Sequence, residues 1–81
     1  MERQQVLDVV TKHIKLNADG LDGAPIDPSR SMKDFGLSSL DTVEIVSASM
    51  RELKIRVPRT ELAQLANIDQ LVDLFVRVTQ Q

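Results

Sequence analysis

The 81-residue chain has no cysteine, tryptophan or tyrosine, and its only aromatic side chains are Phe35 and Phe75. Without cysteine there is neither a disulfide framework nor a thiolate metal cluster, a usage that fits a reducing compartment and makes the cytoplasm the expected location. Two phenylalanines make no stacking platform for bases. The formal net charge is −2, from 10 Lys and Arg against 12 Asp and Glu. So mild a balance provides no concentrated basic face and argues against nucleic acid as a partner. Long apolar runs are missing too. The first twenty residues hold neither a signal-peptide core nor a membrane span, so a soluble, unexported protein with no membrane partner is expected.

Glycine and proline are scarce, at three each. Together with abundant Val, Leu and Ile, this points to an all-α fold held by aliphatic packing. The length suits one small domain over 1–81, without a buried multi-residue catalytic cleft. His13 is the only histidine, and by itself it cannot assemble a zinc site; it reads as a half-exposed helix residue before a ligand or a base. With one histidine, no cysteine and no metal-ligand cluster there is no nucleophile and base pair, so the chain reads as a non-enzyme that presents something. A monomer is expected.

From Glu2 to Leu16, the apolar residues Val6, Leu7, Val9, Val10, Ile14 and Leu16 include the spacings 6/9/10 and 7/10/14 of an amphipathic helix. Asn17 to Lys33 holds Gly20, Gly23, Pro25 and Pro28 and reads as a long connection, with Leu21, Ile26 and Met32 as candidate pins to the core. Asn17, Asp19, Gly20 and Asp22 faintly suggest a calcium loop. The glycine is misplaced, however, and no bidentate glutamate follows.

A glycine-containing turn at Gly36 then delivers Ser38 and Ser39 to a second helix, from Ser39 to about Lys54. Ser38 is placed as an N-cap whose hydroxyl satisfies an amide near Asp41, while the Asp41 carboxylate reaches back. Ser39 follows as the first residue inside the helix. Its hydroxyl stands at the positive end of the macrodipole, a location that favours a phosphate ester. Helical projection places Thr42, Ile45, Val46, Ser49 and Leu53 on one face and Leu40, Glu44, Ser47 and Arg51 on the other, with Val43 at its edge. The first face is assigned to the core. Thr42 and Ser49 either leave room for a short guest chain or bond back to a carbonyl one turn earlier. Leu40 and Val43 offer an apolar edge to a partner. Val57-Pro58 ends this region and opens a short helix, roughly Arg59 to Ala63. Asn67 caps a last helix with Gln70 three residues on and Leu71, Leu74, Phe75 and Val78 as its stripe; the tail 79–81 is expected to fray. The resulting architecture is a small four-helix bundle, three main helices and one short one, with a long loop between the first and second.

On local pattern alone, Ser38-Ser39-Leu40-Asp41 need only start a helix. The longer string Gly36-Leu37-Ser38-Ser39-Leu40-Asp41-Thr42-Val43-Glu44 resembles the modification segment of acyl carrier proteins, in which a serine followed by leucine carries a 4′-phosphopantetheine arm. The resemblance implies that Ser39 is the attachment site and that a phosphopantetheinyl transferase, using coenzyme A, is a partner. The family usually has aspartate just before that serine; Ser38 keeps the cap and drops one negative charge. In carriers of the fatty-acid type the second helix is typically strongly acidic. Here only Asp41, Glu44 and Glu52 are acidic, which implies weaker salt-dependent steering and a dedicated biosynthetic pathway.

Val57-Pro58-Arg59-Thr60-Glu61-Leu62 and Asn67-Ile68-Asp69-Gln70-Leu71-Val72-Asp73-Leu74-Phe75 resemble the free-standing donor carriers of polyketide β-branching cassettes. Those relatives often have lysine where Ala66 stands. This likeness implies malonyl or acetyl cargo and, as partners, an acyltransferase, a decarboxylating ketosynthase-like protein and an HMG-synthase-like enzyme. Docking residues would be Leu40, Asp41, Val43, Glu44, Ser47, Arg51 and Arg59, with no catalytic or metal-binding residue. A fatty-acid, peptidyl or aryl carrier, or an unmodified helical interaction module, remain alternatives.

Overall fold

The computed structural model describes residues 2–18, 26–62 and 65–80, apart from the side chain of Arg59. Val6, Val10 and Ile14 recur every fourth residue on helix Arg3–Asn17 (α1), and all three are fully buried. Leu7 and Val9 pack beside them, half-buried. Leu16, counted with the apolar residues of this helix, is instead 73% exposed. It lies about 200° around the helix from Ile14, on the opposite side.

A 3₁₀ turn, Met32–Phe35, interrupts the long connection, followed by helices Ser39–Leu53 (α2), Arg59–Leu62 (α3) and Ile68–Thr79 (α4). The architecture is all-helical, as expected from composition and periodicity. α1 packs against both α2 and α4. The core joins the α1 stripe to Ile45, Val46 and Leu53 of α2 and to Ile68, Leu71, Val72, Leu74 and Phe75 of α4. Phe75 is its largest fully buried side chain. Across the surface Arg3 binds Asp69 at 2.8 Å and Asp73 at 3.0 Å, tying the start of α1 to α4. All three side chains are well exposed, so register is the main contribution of these pairs.

The long connection is pinned where it is described: Ile26 and Met32 pack against the core. The third candidate pin, Leu21, lies outside the described residues, as do Asp19, Gly20 and Asp22 of the suggested calcium loop. Backbone from this connection also closes α4. Ile68 and Asp69 donate their amides to the carbonyls of Arg30 and Pro28, at 3.1 and 2.8 Å. Two of the N–H groups that a helix start leaves without an internal partner are thus satisfied by a remote segment. Asn67 caps the same helix as expected, its Oδ1 accepting from the Gln70 amide at 2.9 Å. The Gln70 side chain reaches past the cap residue and accepts from the Ala66 amide instead.

One boundary differs from expectation, and another falls at the edge of the described residues. α3 is described as helical to Leu62, and Ala63 lies outside the described residues. Thr79 does not fray but is the last residue of α4, with Oγ1 donating to the Val76 carbonyl at 2.8 Å. Gln81 is outside the described residues.

Candidate functional site

The approach to α2 is fixed by a chain of local devices. The Ser31 amide donates to the Asp34 carboxylate at 3.1 Å, starting the 3₁₀ turn. Gly36 ends it with φ of 78°, in the left-handed region that a side chain would resist. Its amide bonds the Lys33 carbonyl while the Leu37 amide bonds that of Met32, the paired closure of a Schellman motif. Leu37 is then buried, only 6% exposed, which anchors the chain one residue before the serines.

Ser38 is extended and caps α2 as the sequence predicts. Its Oγ accepts from the Asp41 amide at 3.2 Å, and the Asp41 carboxylate accepts from both the Ser38 amide and hydroxyl, each at 3.0 Å. This capping box occupies the hydroxyl of Ser38 in both its donor and acceptor roles. Thr42 Oγ1 donates to the Ser38 carbonyl. The side-chain hydrogen bonds at this turn belong to Ser38, Asp41 and Thr42, and none to Ser39, which is exposed. Two adjacent serines therefore differ in kind: one spends its hydroxyl on the fold, the other is exposed with no hydrogen bond among the described residues.

Ser39 stands on the rim of an open groove of about 1170 Å³ between α2 and the α3–α4 region. Leu40, Val43 and Ser47 line it on the α2 side, above Val46 and Met50; Val57, Leu62, Leu65 and Leu71 line the other side. Leu40 is 82% and Val43 54% exposed, so an apolar edge does run from the serine into the groove. The contributions of Ser31, Met32 and Lys33 were not visible as site residues in the sequence. No periodicity could show them, because the groove is assembled from separate segments.

Thr42 and Ser49 both take the back-bonded arrangement. Ser49 is fully buried and donates to the Ile45 carbonyl at 2.7 Å, away from the groove; Thr42 does line it. Glu44 and Arg51 are exposed on the outer face of α2, outside the groove lining. The backbone of Arg59 opens α3, and its side chain lies outside the described residues.

His13 is mostly shielded rather than half-exposed, because Nε2 lies 3.0 Å from Glu52 Oε1, across the α1–α2 interface. The same oxygen accepts from Lys12. The Lys12 ammonium first, and His13 second, hold the Glu52 carboxyl below its ordinary value. Among the described residues, no group of three or more His, Cys, Asp or Glu side chains is placed to hold a metal ion. None of their helices is long and apolar enough to cross a membrane.

Such a scaffold defines a presenting protein: an unengaged serine on a rigid helix start, with an apolar edge beside it. The family model described as "phosphopantetheine attachment site" matches residues 4–75. The polyketide biosynthesis acyl-carrier-protein AcpK of Bacillus subtilis is 28% identical over 74 residues, covering 91% of this chain and 90% of that protein. An acyl carrier protein of Cyanidioschyzon merolae is 33% identical over 78 residues, covering 95% and 85%. Among solved structures, a chain of the curacin biosynthetic pathway HMG synthase in complex with acetyl donor-ACP superposes with a TM-score of 0.84. It is 37% identical, with 93% of this chain and 96% of that chain covered. The chain belongs to the phosphopantetheine-binding acyl carrier proteins. It is a carrier of acyl groups, not an enzyme, and its prosthetic group is 4′-phosphopantetheine.

Proposed function

We propose that Ser39 receives the 4′-phosphopantetheine arm and that the loaded carrier is the acetyl donor to an HMG-synthase-like enzyme in polyketide β-branching. The observation that carries the attachment site is the contrast between neighbours. Ser38 spends its hydroxyl on the cap, whereas Ser39 is exposed with its hydroxyl unengaged. The group fits there, since the exposed Oγ is open to a phosphoester bond and the amides of the first helical turn favour the negative charge. When bound, the arm supplies a flexible thiol that holds acyl groups as thioesters.

The donor role is supported by the 37% identity and close superposition with a chain of the complex between HMG synthase and acetyl donor-ACP. In this reading the chain acts as a single monomeric domain in the cytoplasm, with malonyl as the first cargo. An acyltransferase brings the malonyl group and a decarboxylating ketosynthase-like protein converts it to acetyl. Leu40 and Val43 form the apolar anchor of the docking surface, with Asp41, Glu44, Ser47, Arg51 and Arg59 around it.

Intact-mass measurement after incubation with coenzyme A and a broad-specificity phosphopantetheinyl transferase tests the site. One added arm on the wild type and on Ser38→Ala, and none on Ser39→Ala, is the expected result. An arm on Ser39→Ala would overturn the assignment. Malonyl loading of the modified protein, followed by decarboxylation and transfer to the HMG-synthase-like enzyme, tests the donor role; loading only by an adenylating enzyme would refute it.

A further inference from the structure

We infer that Lys33 tells the two cargoes apart: its ammonium pairs with the free carboxylate of a malonyl group folded back over the groove, and finds nothing to hold on an acetyl group. This inference rests on the attachment of the arm at Ser39 and on the malonyl cargo proposed above, and adds the side chain that distinguishes the loaded states.

Among the described residues that line the groove, Lys33 alone is charged. That position sets it apart from the other exposed cations. The carboxylates nearest to it in sequence are held elsewhere. Asp34 accepts from the Ser31 amide and Asp41 from Ser38, and neither lines the groove. The fold fixes where Lys33 stands, because its carbonyl accepts from the Gly36 amide at 3.0 Å within the 3₁₀ turn. The bonds from Ile68 and Asp69 to Arg30 and Pro28 hold the segment leading into that turn against the start of α4.

The groove otherwise offers apolar surface, from Val46, Met50, Leu62, Leu65 and Leu71, with uncharged hydroxyls at Ser31, Thr42 and Ser47. A carboxylate is costly to bring against such a surface without a partner. Lys33 is exposed, so the pair forms at the water's edge, where desolvation is slight and the strength modest and salt-dependent. On decarboxylation the bond to the carboxylate breaks, carbon dioxide leaves, and the carbon left behind takes up one proton. The remaining acetyl group is neutral. It is no longer held at Lys33 and is free to extend toward the HMG-synthase-like enzyme.

The test compares malonyl, acetyl and acetoacetyl cargo, the last nearly isosteric with malonyl and uncharged. Each is transferred with the arm from its acyl coenzyme A by the broad-specificity transferase, in the wild type, Lys33→Gln and Lys33→Arg, and verified by intact mass. The readout is the nuclear Overhauser contact between the isotope-labelled acyl group and the Met32 and Val46 side chains, with circular dichroism checking the fold. We expect malonyl contacts in the wild type and in Lys33→Arg. They should be about threefold or more weaker in Lys33→Gln, and in the wild type at high salt. Acetyl and acetoacetyl should give weak contacts throughout. Malonyl contacts that are absent from the wild type, equalled there by acetoacetyl, or undiminished in folded Lys33→Gln would overturn the role of Lys33 and leave the carrier reading standing. No arm on the wild type, or an arm retained on Ser39→Ala, would overturn the attachment site and this inference with it.

Discussion

The amide of Asp69 donates to the carbonyl of Pro28 at 2.8 Å, so the start of α4 is completed by a residue forty-one positions earlier. This bond, with Ile68 to Arg30 beside it, makes the long connection part of the bundle. The groove next to Ser39 depends on that closure, because Met32 and Lys33 enter it from one side and Leu71 from the other.

Removing the side-chain half of this helix start measures how much of it is local. Asn67→Ala deletes the acceptor of the Gln70 amide and should destabilise the fold by about 1 kcal/mol. The midpoint of urea unfolding is the measurement, with the m-value unchanged.

Ser38→Ala should have a similar cost, about 0.5–2 kcal/mol, since it removes the acceptor for the Asp41 amide and one donor to the Asp41 carboxylate. Ser39→Ala, at an exposed position whose hydroxyl has no hydrogen-bond partner among the described residues, should leave thermal stability nearly unchanged. A comparison of the two melting curves thus separates the serine that caps the helix from the one that does not.

Lys54 holds a left-handed conformation, φ 58°, in a Schellman closure where its amide bonds Arg51 and the Ile55 amide bonds Met50. Lys54→Gly should stabilise the protein by about 0.5–1 kcal/mol, the relief of left-handed strain exceeding the extra entropy of glycine. Gly36→Ala should do the reverse, by about 1 kcal/mol, although no atom lies within 4 Å of the added Cβ. Denaturant titration of the pair tests conformation separately from packing.

Glu52 makes part of the stability depend on acidity. Its carboxyl is held below the ordinary 4.5 by Lys12 and then His13. Its contribution is therefore complete above that value and is lost as pH falls through the lower folded value. Asp27, lowered chiefly by the Ser29 hydroxyl and then the Ser29 amide, acts in the same direction. Glu52→Gln should flatten the acid limb of a Tm–pH curve while retaining the fold at neutral pH.

Phe75 is fully buried, and Phe75→Ala should cost about 3–5 kcal/mol. In a domain this small that is much of the total stability. Loss of the cooperative thermal transition would show it.

The sequence by itself determined the helices and the capped turn that opens α2. Val6, Val10 and Ile14, and Leu71, Leu74 and Phe75, fall on single faces because helical period and burial act on the same spacing. Ser38 with Asp41, and Asn67 with Gln70, are legible as caps because both partners lie within one turn. Leu16 misled, since an apolar residue at a helix end carries no sign of which way it points. What only the tertiary structure decided is long-range: Pro28 and Arg30 capping α4, Arg3 reaching Asp69 and Asp73, His13 shielded against Glu52, and the groove beneath Ser39. These pairings join residues tens of positions apart, and their geometry is set by how α1, α2 and α4 pack, which no local spacing encodes.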